Sequence, residues 1–286
     1  MAEQHINLKY IINRIKTQKH PIRFLLSRIL WCSGLCKMFI INLSSGVKIH
    51  FFPTSTSTAL WTDSACFDDD GLNFVWDYLS AGDTFIDVGA NIGHLTLTGA
   101  KKVGIEGNVI SIEPHPRTFK FLNKNIDLNG FKNVKTYNLA IGDKNGELCF
   151  SDIRSDDQNF ITEDGTVKVD IKRLDDLFFG KKVDLLKIDT EGYELFVLKG
   201  AANILSKTGL VHLEIYQTNF ERYGYYIKDI VDLLFKNNFK VFRFLSENEL
   251  KEIDNNYLSE KCENLIAIKD VNSFREKMKN LTITCL

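Results

Sequence analysis

Short apolar runs alternate with longer amphipathic stretches through most of the chain after residue 80. The runs with the length and composition of β-strands are TFIDV, NVISIEP, VKTYNLA, VDLLKID, LVHLEIY, FKVFRF and, near the C-terminus, ENLIAI. Apolar residues recur at helical spacing in residues 92–103, 116–129, 194–206 and 226–237. This alternation predicts an α/β fold with a doubly wound, mostly parallel, seven-stranded sheet, in which ENLIAI completes one edge.

Two regions have a different pattern. The runs GELCFSDI and TVKVDIKRL alternate apolar and polar residues with no helix between them, which predicts an antiparallel insertion. Near the N-terminus, MFIINL and VKIHFF flank SSG and predict a β-hairpin, and the polar stretch PTSTSTALWTDSACFDDD that follows is typical of a loop that covers or lines a site. We therefore divide the chain into an N-terminal helical and hairpin appendage (1–62), a principal α/β domain (63–270) and a C-terminal helix or tail (271–286).

The N-terminal segment contains the most apolar stretch of the sequence, IRFLLSRILWCSGLCKMFIIN, but basic residues interrupt it. Its longest charge-free piece is far shorter than a bilayer span, and the start of the chain lacks the apolar core of a secretory signal. The spacing places five residues on one helix face: Ile22, Leu25, Leu26, Ile29 and Leu30. This pattern favours a helix packed on its own protein body over a helix that lies on a membrane surface.

Charge is distributed unevenly along the chain. The net charge of −1 shows no electrostatic footprint of nucleic-acid binding. Residues 1–62, however, contain eight Lys or Arg and one acid, a net charge of +7, while the remaining residues carry −8. A basic N-terminus of this kind can make peripheral contact with an anionic membrane. The six cysteines form no C-x-x-C pair, which indicates reduced thiols and a cytoplasmic protein.

A glycine-rich turn in the sequence FIDVGANIG follows the first predicted strand of the α/β domain directly. In a doubly wound sheet, ligands bind beyond the carboxyl ends of the strands, and small residues there let backbone N–H groups approach a ligand. The next strand ends at Glu113, twenty residues after Gly93, where a carboxylate can accept two hydrogen bonds from ribose hydroxyls; Pro114 then sets the turn. Together these elements predict a cofactor that contains a nucleoside. The residues of the turn are Asp87, Gly89, Ala90, Asn91 and Gly93.

The turn differs from the fingerprint of a dinucleotide site. That fingerprint reads G-x-G-x-x-G, and Asn91 stands at the position of its middle glycine. Pyrophosphate needs that glycine for close backbone approach, whereas D-x-G-x-x-x-G suits an amino-acid group. Asn91 therefore speaks against the second hypothesis, an NAD-dependent oxidoreductase. A calorimetric titration with NAD would test it.

Five blocks, in their order and separation, resemble the FkbM family of S-adenosylmethionine-dependent methyltransferases. They are FIDVGANIGHLTL, ISIEPHP, NLAIGD, LLKIDTEGYELFVLKGA and HLEIY. The resemblance implies a Rossmann-like methyltransferase sheet in the principal domain and S-adenosylmethionine as the cofactor. It places the glycine turn at the methionine part of the cofactor and Glu113 at the ribose. It also implies that Ala140, Ile141 and Asp143 bracket the adenine and that Asp189 faces the transferable methyl group.

Transfer of a methyl group to a hydroxyl also requires a base that removes the proton. Asp189, Glu191 and Glu214 each stand at or just beyond the end of a predicted strand, and we name them as catalytic candidates. Glu191 has an alternative role as a cap for the helix that begins near Tyr193. The predicted activity is O-methylation of a small molecule, a sugar or a lipid-linked glycan. An inactive cofactor-binding module is a third hypothesis, and we name no metal ligand and no oligomeric state.

Overall fold

The computed structural model describes residues 19–62, 68–153, 156–180 and 182–286. Three basic residues of the predicted N-terminal charge cluster, Lys9, Arg14 and Lys16, lie outside the described residues, as does Cys66. The described N-terminal part consists of helix α1 (Pro21–Ser33), a 3-10 turn (Leu35–Met38), strands β1 (Ile40–Asn42) and β2 (Lys48–His50), and helix α2 (Ser55–Thr62). Strands β1 and β2 pair antiparallel, so the predicted hairpin is confirmed, whereas part of the predicted polar loop is helical.

Strands and helices alternate through the rest of the chain. The helices are α3 (Phe74–Tyr78), α4 (His94–Val103), α5 (Pro116–Asn129), α6 (Glu194–Lys199), α7 (Ala202–Lys207), α8 (Gln217–Glu221), α9 (Ile227–Lys236) and α10 (Val271–Lys277). The strands are β3 (Thr84–Val88), β4 (Asn108–Ile112), β5 (Val134–Tyr137), β6 (Ala140–Ile141), β7 (Gly146–Phe150), β8 (Val167–Lys172), β9 (Val183–Ile188), β10 (Thr208–Ile215), β11 (Lys240–Ser246), β12 (Glu249–Glu252), β13 (Glu263–Ile268) and β14 (Thr282–Thr284).

Local sequence signals explain the bounds of α5. Pro116 occupies its first turn, where a missing N–H costs nothing, and the His115 ring Nδ1 accepts a hydrogen bond from the Arg117 N–H at 3.2 Å. The helix ends at Gly130, whose φ of 68° lies in the left-handed region that glycine adopts without steric cost. The helix therefore leaves β4 at a fixed angle, with its N-terminus beside Glu113.

The main sheet has the strand order β14-β12-β11-β13-β10-β9-β3-β4-β5. Strands β10, β9, β3, β4 and β5 run parallel, and β13 pairs antiparallel with both β10 and β11. From β3 the chain proceeds outward to β4 and β5, then returns to β9 on the other side of β3. Strand order therefore reverses at the junction of β3 and β9, where an open α/β sheet binds its ligands.

Two details of the predicted sheet are wrong. The described residues form nine strands in this sheet rather than seven, because β12 and β14 extend it beyond β11. The run ENLIAI forms β13, which lies between β10 and β11 and not at an edge. Its residues Leu265 to Ile268 are buried, which an edge position would not require. The α/β class and the mostly parallel core are confirmed.

Apolar side chains cover both faces of the parallel strands. Adjacent residues of β3 point in opposite directions, so Phe85 belongs to one buried cluster and Ile86 to the other. Helices α4 and α5 contribute Leu97 and Leu122 to the first cluster. The second cluster includes Val197 of α6 and further residues of α7 and α9. Burial on both faces explains the continuous apolar runs in the sequence of these strands.

A separate three-stranded sheet has the order β6-β8-β7, with β7 and β8 antiparallel, so the predicted insertion is confirmed. It stands beyond the carboxyl end of the main sheet, because β6 follows β5 after two residues.

Helix α1 does not pack as its spacing predicts. Its buried residues are Phe24, Ser27 and Leu30, while four of the five residues assigned to the packed face are exposed: Ile22, Leu25, Leu26 and Ile29. The predicted burial of that face is therefore wrong. Spacing identifies residues that share a face, but it does not say whether the protein covers that face.

Candidate functional site

A cavity of about 630 Å³ lies at the carboxyl ends of β3, β4, β9 and β10. Its volume is within the range of sites that enclose a whole small ligand. Six of the ten residues predicted to bind the cofactor line this cavity, and so do all three catalytic candidates. These nine residues are Gly89, Asn91, Glu113, Pro114, Ala140, Ile141, Asp189, Glu191 and Glu214. Asp87, Ala90, Gly93 and Asp143 are not among the lining residues.

The glycine turn after β3 is held by hydrogen bonds within the protein. The Gly89 and Ala90 N–H groups donate to the Ile112 carbonyl at 3.0 Å each, and the Gly93 N–H donates to the Ala90 carbonyl at 2.9 Å. The Asn91 N–H donates to Glu113, and the Ile92 N–H donates to the Asn91 side chain. The expectation that these N–H groups face a ligand is therefore wrong, because each of them already has an acceptor.

Close packing of two chain segments explains Gly89 instead. Its φ is 81°, and a Cβ atom at this position would collide with the backbone carbonyl oxygen of Asp189. The Asp189 N–H donates to the Val88 carbonyl at 3.0 Å, which joins the ends of β3 and β9. A side chain at residue 89 would separate the two strand ends from which the cavity is built.

Asp87 lies beneath the turn and is fully buried. Its Oδ2 accepts a hydrogen bond from the Thr96 hydroxyl at 2.6 Å, and its Oδ1 lies 3.7 Å from the Lys187 ammonium. Burial raises the pKa of Asp87, while the charge of Lys187 opposes that shift. Asp87 therefore connects α4 to Lys187 and supports the cavity floor from below.

Lys187 is a buried cation at the centre of the strand ends. Its Nζ donates to Asp189 Oδ2 at 3.0 Å and to the Gly89 carbonyl at 3.3 Å. Burial alone would lower the pKa of Lys187, but the charges of Asp189 and Asp87 raise it above its usual value. The lysine is charged at pH 7, and it holds the Asp189 carboxylate in one orientation at the cavity wall.

Two backbone N–H groups fix the position of the Glu113 carboxylate in the cavity. Its Oε2 accepts a hydrogen bond from the Asn91 N–H at 2.9 Å, and its Oε1 accepts one from the His115 N–H at 2.8 Å. The side chain is 6% exposed, and burial raises its pKa to about 8. An ionised carboxylate has about four acceptor positions, so both oxygens keep capacity for a bound diol.

Apolar residues form the wall next to Glu113. Ile112, Leu139 and Ile141 line the cavity there, together with Ala140 and Phe150. Such a wall suits a flat aromatic base. Asp143 lies beyond this wall as an exposed residue, so the structure does not bring it together with the other predicted adenine contacts.

Asp189, Glu191 and Glu214 form a cluster of acids on the other side of the cavity, with carboxylate oxygens within 4.8 Å of one another. The charge of Asp189, together with burial, raises the pKa of Glu214 to about 8. Burial and the charges of Asp189 and Glu214 raise the pKa of Glu191 to about 9. Glu191 and Glu214 can exchange protons near neutral pH. The oxygens of all three acids also have the spacing and hardness that a divalent cation accepts.

The alternative role of Glu191 as a helix cap is wrong. Helix α6 begins at Glu194 with no side-chain cap, and Glu191 instead adopts a φ of 55° and accepts a hydrogen bond from the Asn219 amide at 3.0 Å. It is Glu194 that holds the loop, because its Oε1 accepts from the Thr190 N–H at 2.7 Å and from the Gly192 N–H at 3.3 Å. Glu194 is not among the residues predicted from the sequence, although an acid four residues after Thr190 could have indicated this role.

A segment after β7 closes the remaining side of the cavity. Asp156 accepts hydrogen bonds from the Ser55 hydroxyl at 2.6 Å and the Thr56 N–H at 3.1 Å, and its carbonyl accepts one from the Asn91 amide at 3.2 Å. The N-terminal appendage, the insertion and the glycine turn therefore meet at Asp156. These contacts join residues 65 to 101 positions apart, so no local sequence pattern could have predicted them.

The two histidines near the predicted cofactor motifs have different environments. His115 caps α5 through Nδ1, and its Nε2 lies 3.2 Å from Asp152, so its role is structural. His94 lines the cavity, and burial lowers its pKa to about 4. Its imidazole is therefore neutral at pH 7.

A comparison with protein families matches residues 87–241 to the methyltransferase FkbM domain, which is more than half of the chain. The chain belongs to the FkbM methyltransferase family. Membership confirms the family that the sequence motifs resemble, and S-adenosylmethionine is the cofactor.

Two curated relatives are also methyltransferases by name. The chain is 32% identical over 147 residues to Methyltransferase 1 of Beauveria bassiana, a match covering 41% of this chain and 58% of the relative. It is 28% identical over 172 residues to the hexuronic acid methyltransferase AglP of Haloferax volcanii, covering 58% of this chain and 67% of that protein. The chain thus spans two thirds or less of the length of these relatives.

The solved structures that resemble this chain are more distant. An S-adenosylmethionine-dependent methyltransferase from Aquifex aeolicus has a TM-score of 0.43 and 17% identity, and covers 73% of this chain and 94% of its own. An O-methyltransferase from Thermotoga maritima has a TM-score of 0.41 and 17% identity, covering 81% and 77%.

The cavity of this FkbM family member fits its cofactor in shape and charge. Glu113 offers free acceptor positions to a ribose diol beside an apolar wall, as described above. Six acidic side chains line the cavity against two basic ones, Lys187 and Arg222. An excess of carboxylates attracts a ligand that carries a positive sulfonium and an ammonium group. Burial raises the pKa of Glu113 and Glu191, and the charge of Asp189 together with burial raises the pKa of Glu214. A bound cation would stabilise the ionised form of these acids.

Proposed function

We propose that this protein catalyses O-methylation of a hydroxyl on a small molecule, a sugar or a lipid-linked glycan. S-adenosylmethionine supplies an activated methyl group on its sulfonium. The observation that carries the proposal is the acid cluster, because it lies at the strand ends that close the cavity opposite Glu113. A hydroxyl acceptor needs both a fixed orientation and a group that accepts its proton.

Glu214 is our choice for the base. Its position in the buried strand β10 keeps the side chain at one place, and its pKa of about 8 is matched to proton transfer near neutral pH. Asp189 is held by Lys187 and carries charge toward the methyl-transfer position. Glu191, which accepts a hydrogen bond from Asn219, orients the acceptor.

The remaining site residues are assigned to the cofactor. Glu113 accepts hydrogen bonds from the ribose, and Ala140, Ile141 and Pro114 contact the adenosine part. Gly89, Ala90, Asn91 and Gly93 shape the turn beside the methionine part, and Asp87 supports that turn from beneath. Asp143 is assigned to the adenine amine, although it is exposed and does not line the cavity. No step of the reaction as proposed uses a metal ion.

A sugar is the acceptor class that we favour, because the relative from Haloferax volcanii acts on a hexuronic acid. Arg222 lines the cavity, and its guanidinium lies 3.7 Å from the centre of the Phe160 ring. A cation stacked on an aromatic ring in this way could pair with the carboxylate of an acidic sugar. Tyr216 also lines the cavity and could orient a hydroxyl.

The test of the proposed base is the substitution Glu214→Gln, with Glu276→Gln on the exposed side of α10 as the matched control. Methyl transfer from labelled S-adenosylmethionine to acceptors in an extract of the source cells is followed by mass spectrometry. We expect Glu214→Gln to slow transfer by about 10²–10⁴-fold and to leave cofactor affinity by calorimetry within a few-fold. Unchanged transfer would exclude Glu214 as the base, and tight binding of NAD instead of S-adenosylmethionine would overturn the proposal as a whole.

A further inference from the structure

Exposed apolar side chains are concentrated in one short segment of the described chain. We call the group formed by Ile22, Leu25, Leu26 and Ile29 the outer face of α1. All four are exposed, Ile22 at 73% and Ile29 at 62%. Four more exposed apolar residues follow before residue 41: Leu35, Met38, Phe39 and Ile40. A soluble surface rarely gathers so many large apolar side chains without a partner.

The opposite side of α1 is attached firmly to the protein. Phe24 and Leu30 are buried, and the Arg23 guanidinium donates a hydrogen bond to the Trp61 carbonyl of α2 at 3.4 Å. The helix is therefore fixed to the body with its outer face turned to solvent. Rotation of α1 to bury that face would expose Phe24 and Leu30.

The charged residues of the described N-terminal segment are all of one sign. Residues 19–62 contain five Lys or Arg and no acid. Three of these, Lys19, Arg23 and Arg28, lie on or next to α1. Large apolar residues on one face with basic residues beside them are the composition of a helix that lies in the interface of an anionic bilayer. At 13 residues, α1 is suited to lying on that surface, and no helix of the described residues is long and apolar enough to cross a membrane.

We propose that the outer face of α1 docks the protein on a membrane surface that contains anionic lipid. The four apolar side chains insert below the headgroups, while Lys19, Arg23 and neighbouring basic residues contact lipid phosphates. The spacing of apolar residues in the sequence favoured a helix packed on the protein body, and this proposal replaces that preference with a helix that lies on a membrane surface. It is independent of the proposed methyl transfer, because it requires neither cofactor nor acceptor.

The docking face and the cavity are connected through the appendage. Helix α1 contacts α2 through Arg23 and Trp61, and the first turn of α2 contributes Thr56 to the cavity lining and Ser55 to the hydrogen bonds with Asp156. Docking through α1 would therefore attach the membrane to a part of the protein that is in direct contact with the wall of the cavity.

The experiment is sedimentation of the full chain with vesicles of phosphatidylcholine alone and of phosphatidylcholine mixed with phosphatidylglycerol. The test variant is Ile22→Gln with Ile29→Gln. Its matched control is Ile105→Gln with Leu258→Gln, which changes two even more exposed apolar residues, at 88% and 84%, elsewhere on the protein. Substitution is preferable to deletion of the segment, because deletion would also remove the buried residues Phe24, Leu30 and Cys36.

We expect the unaltered chain and the control to sediment with the anionic vesicles and only weakly with the neutral ones. The test variant should bind the anionic vesicles about tenfold or more weakly, with unchanged melting temperature and cofactor affinity. Raising NaCl from about 0.1 M to about 0.5 M should weaken binding of the unaltered chain. Equal binding by the test variant and the control would overturn the proposal. So would a dimer that the test variant dissociates in the absence of any vesicle binding, because the outer face would then belong to a second copy of the chain.

Discussion

The substitution Glu113→Gln tests the assignment of the ribose directly. In the structure each carboxylate oxygen already accepts one backbone N–H, from Asn91 at 2.9 Å and from His115 at 2.8 Å. The ribose must therefore use the second acceptor position of one or both oxygens. Glutamine has a single oxygen, and its amide NH₂ would face one of the two N–H donors. The variant thus loses at least one charged hydrogen bond to the cofactor and leaves one buried donor without an acceptor.

The expected loss follows from the energies of such bonds. A hydrogen bond to a charged group contributes about 1.5–3 kcal/mol, which weakens S-adenosylmethionine binding by roughly 10- to 150-fold. Isothermal titration calorimetry at pH 7.5 to 8.5 measures the dissociation constant of S-adenosylmethionine near the pKa of Glu113, which burial raises to about 8. Glu106→Gln, on the exposed turn before β4, is the matched control and should bind normally. A dissociation constant within twofold of the unaltered protein would refute the placement of the ribose at Glu113.

The variant Glu113→Gln also tests a second prediction, which concerns how the stability of the cofactor-free protein changes with pH. The folded-state pKa of Glu113, about 8, lies above its ordinary value of 4.5. Stability from this group is therefore fully present below pH 4.5 and is lost as the pH rises to about 8. In Glu113→Gln this titration is absent, so the melting temperature of the cofactor-free variant should fall less between pH 6 and pH 9 than that of the unaltered protein. An equal fall in both proteins would mean that the carboxyl group is not buried as the structure has it.

Two further predictions concern the strand ends and the acid cluster. Gly89→Ala should destabilise the protein by more than about 3 kcal/mol in chemical denaturation, because the new Cβ would collide with the Asp189 carbonyl. Gly130→Ala, at a φ of 68° with open space around it, should cost only about 1–2 kcal/mol; equal losses would contradict the close approach of β3 and β9. The rate of methyl transfer should rise from pH 7 to pH 9, because Glu214 and Glu191, with pKa values of about 8 and 9, act in the deprotonated form. A rate that falls over this range would show that a protonated acid is required.

Much of the architecture follows from local sequence. The strand runs from TFIDV to FKVFRF and the helices α4, α5 and α9 are all where their periodicity predicts them, within a few residues. The central strands β3, β4, β9 and β10 have apolar residues at adjacent positions because these strands are buried on both faces. The carboxyl ends of the strands were also predictable, and with them the general position of Glu113, Asp189 and Glu214.

The contacts that individual site residues make could not be predicted in the same way. Gly89 and Asn91 stand in the turn as expected, yet the turn is shaped by contacts with Ile112, Glu113 and Asp189 rather than by N–H groups left open for a ligand. Glu194, and not Glu191, holds the loop after β9. Each of these outcomes depends on which groups meet when separate segments come together.

The sequence by itself determined the α/β class, the kinds of side chain available to the site and the strand ends that carry them, because periodicity and turn residues act over a few positions. Only the tertiary structure decided that β13 lies between β10 and β11, that Asp189, Glu191 and Glu214 share one side of a cavity, and that the outer face of α1 is left uncovered. Those features depend on contacts between residues far apart in the chain. Spacing along a chain defines a face, but the rest of the molecule determines what that face meets.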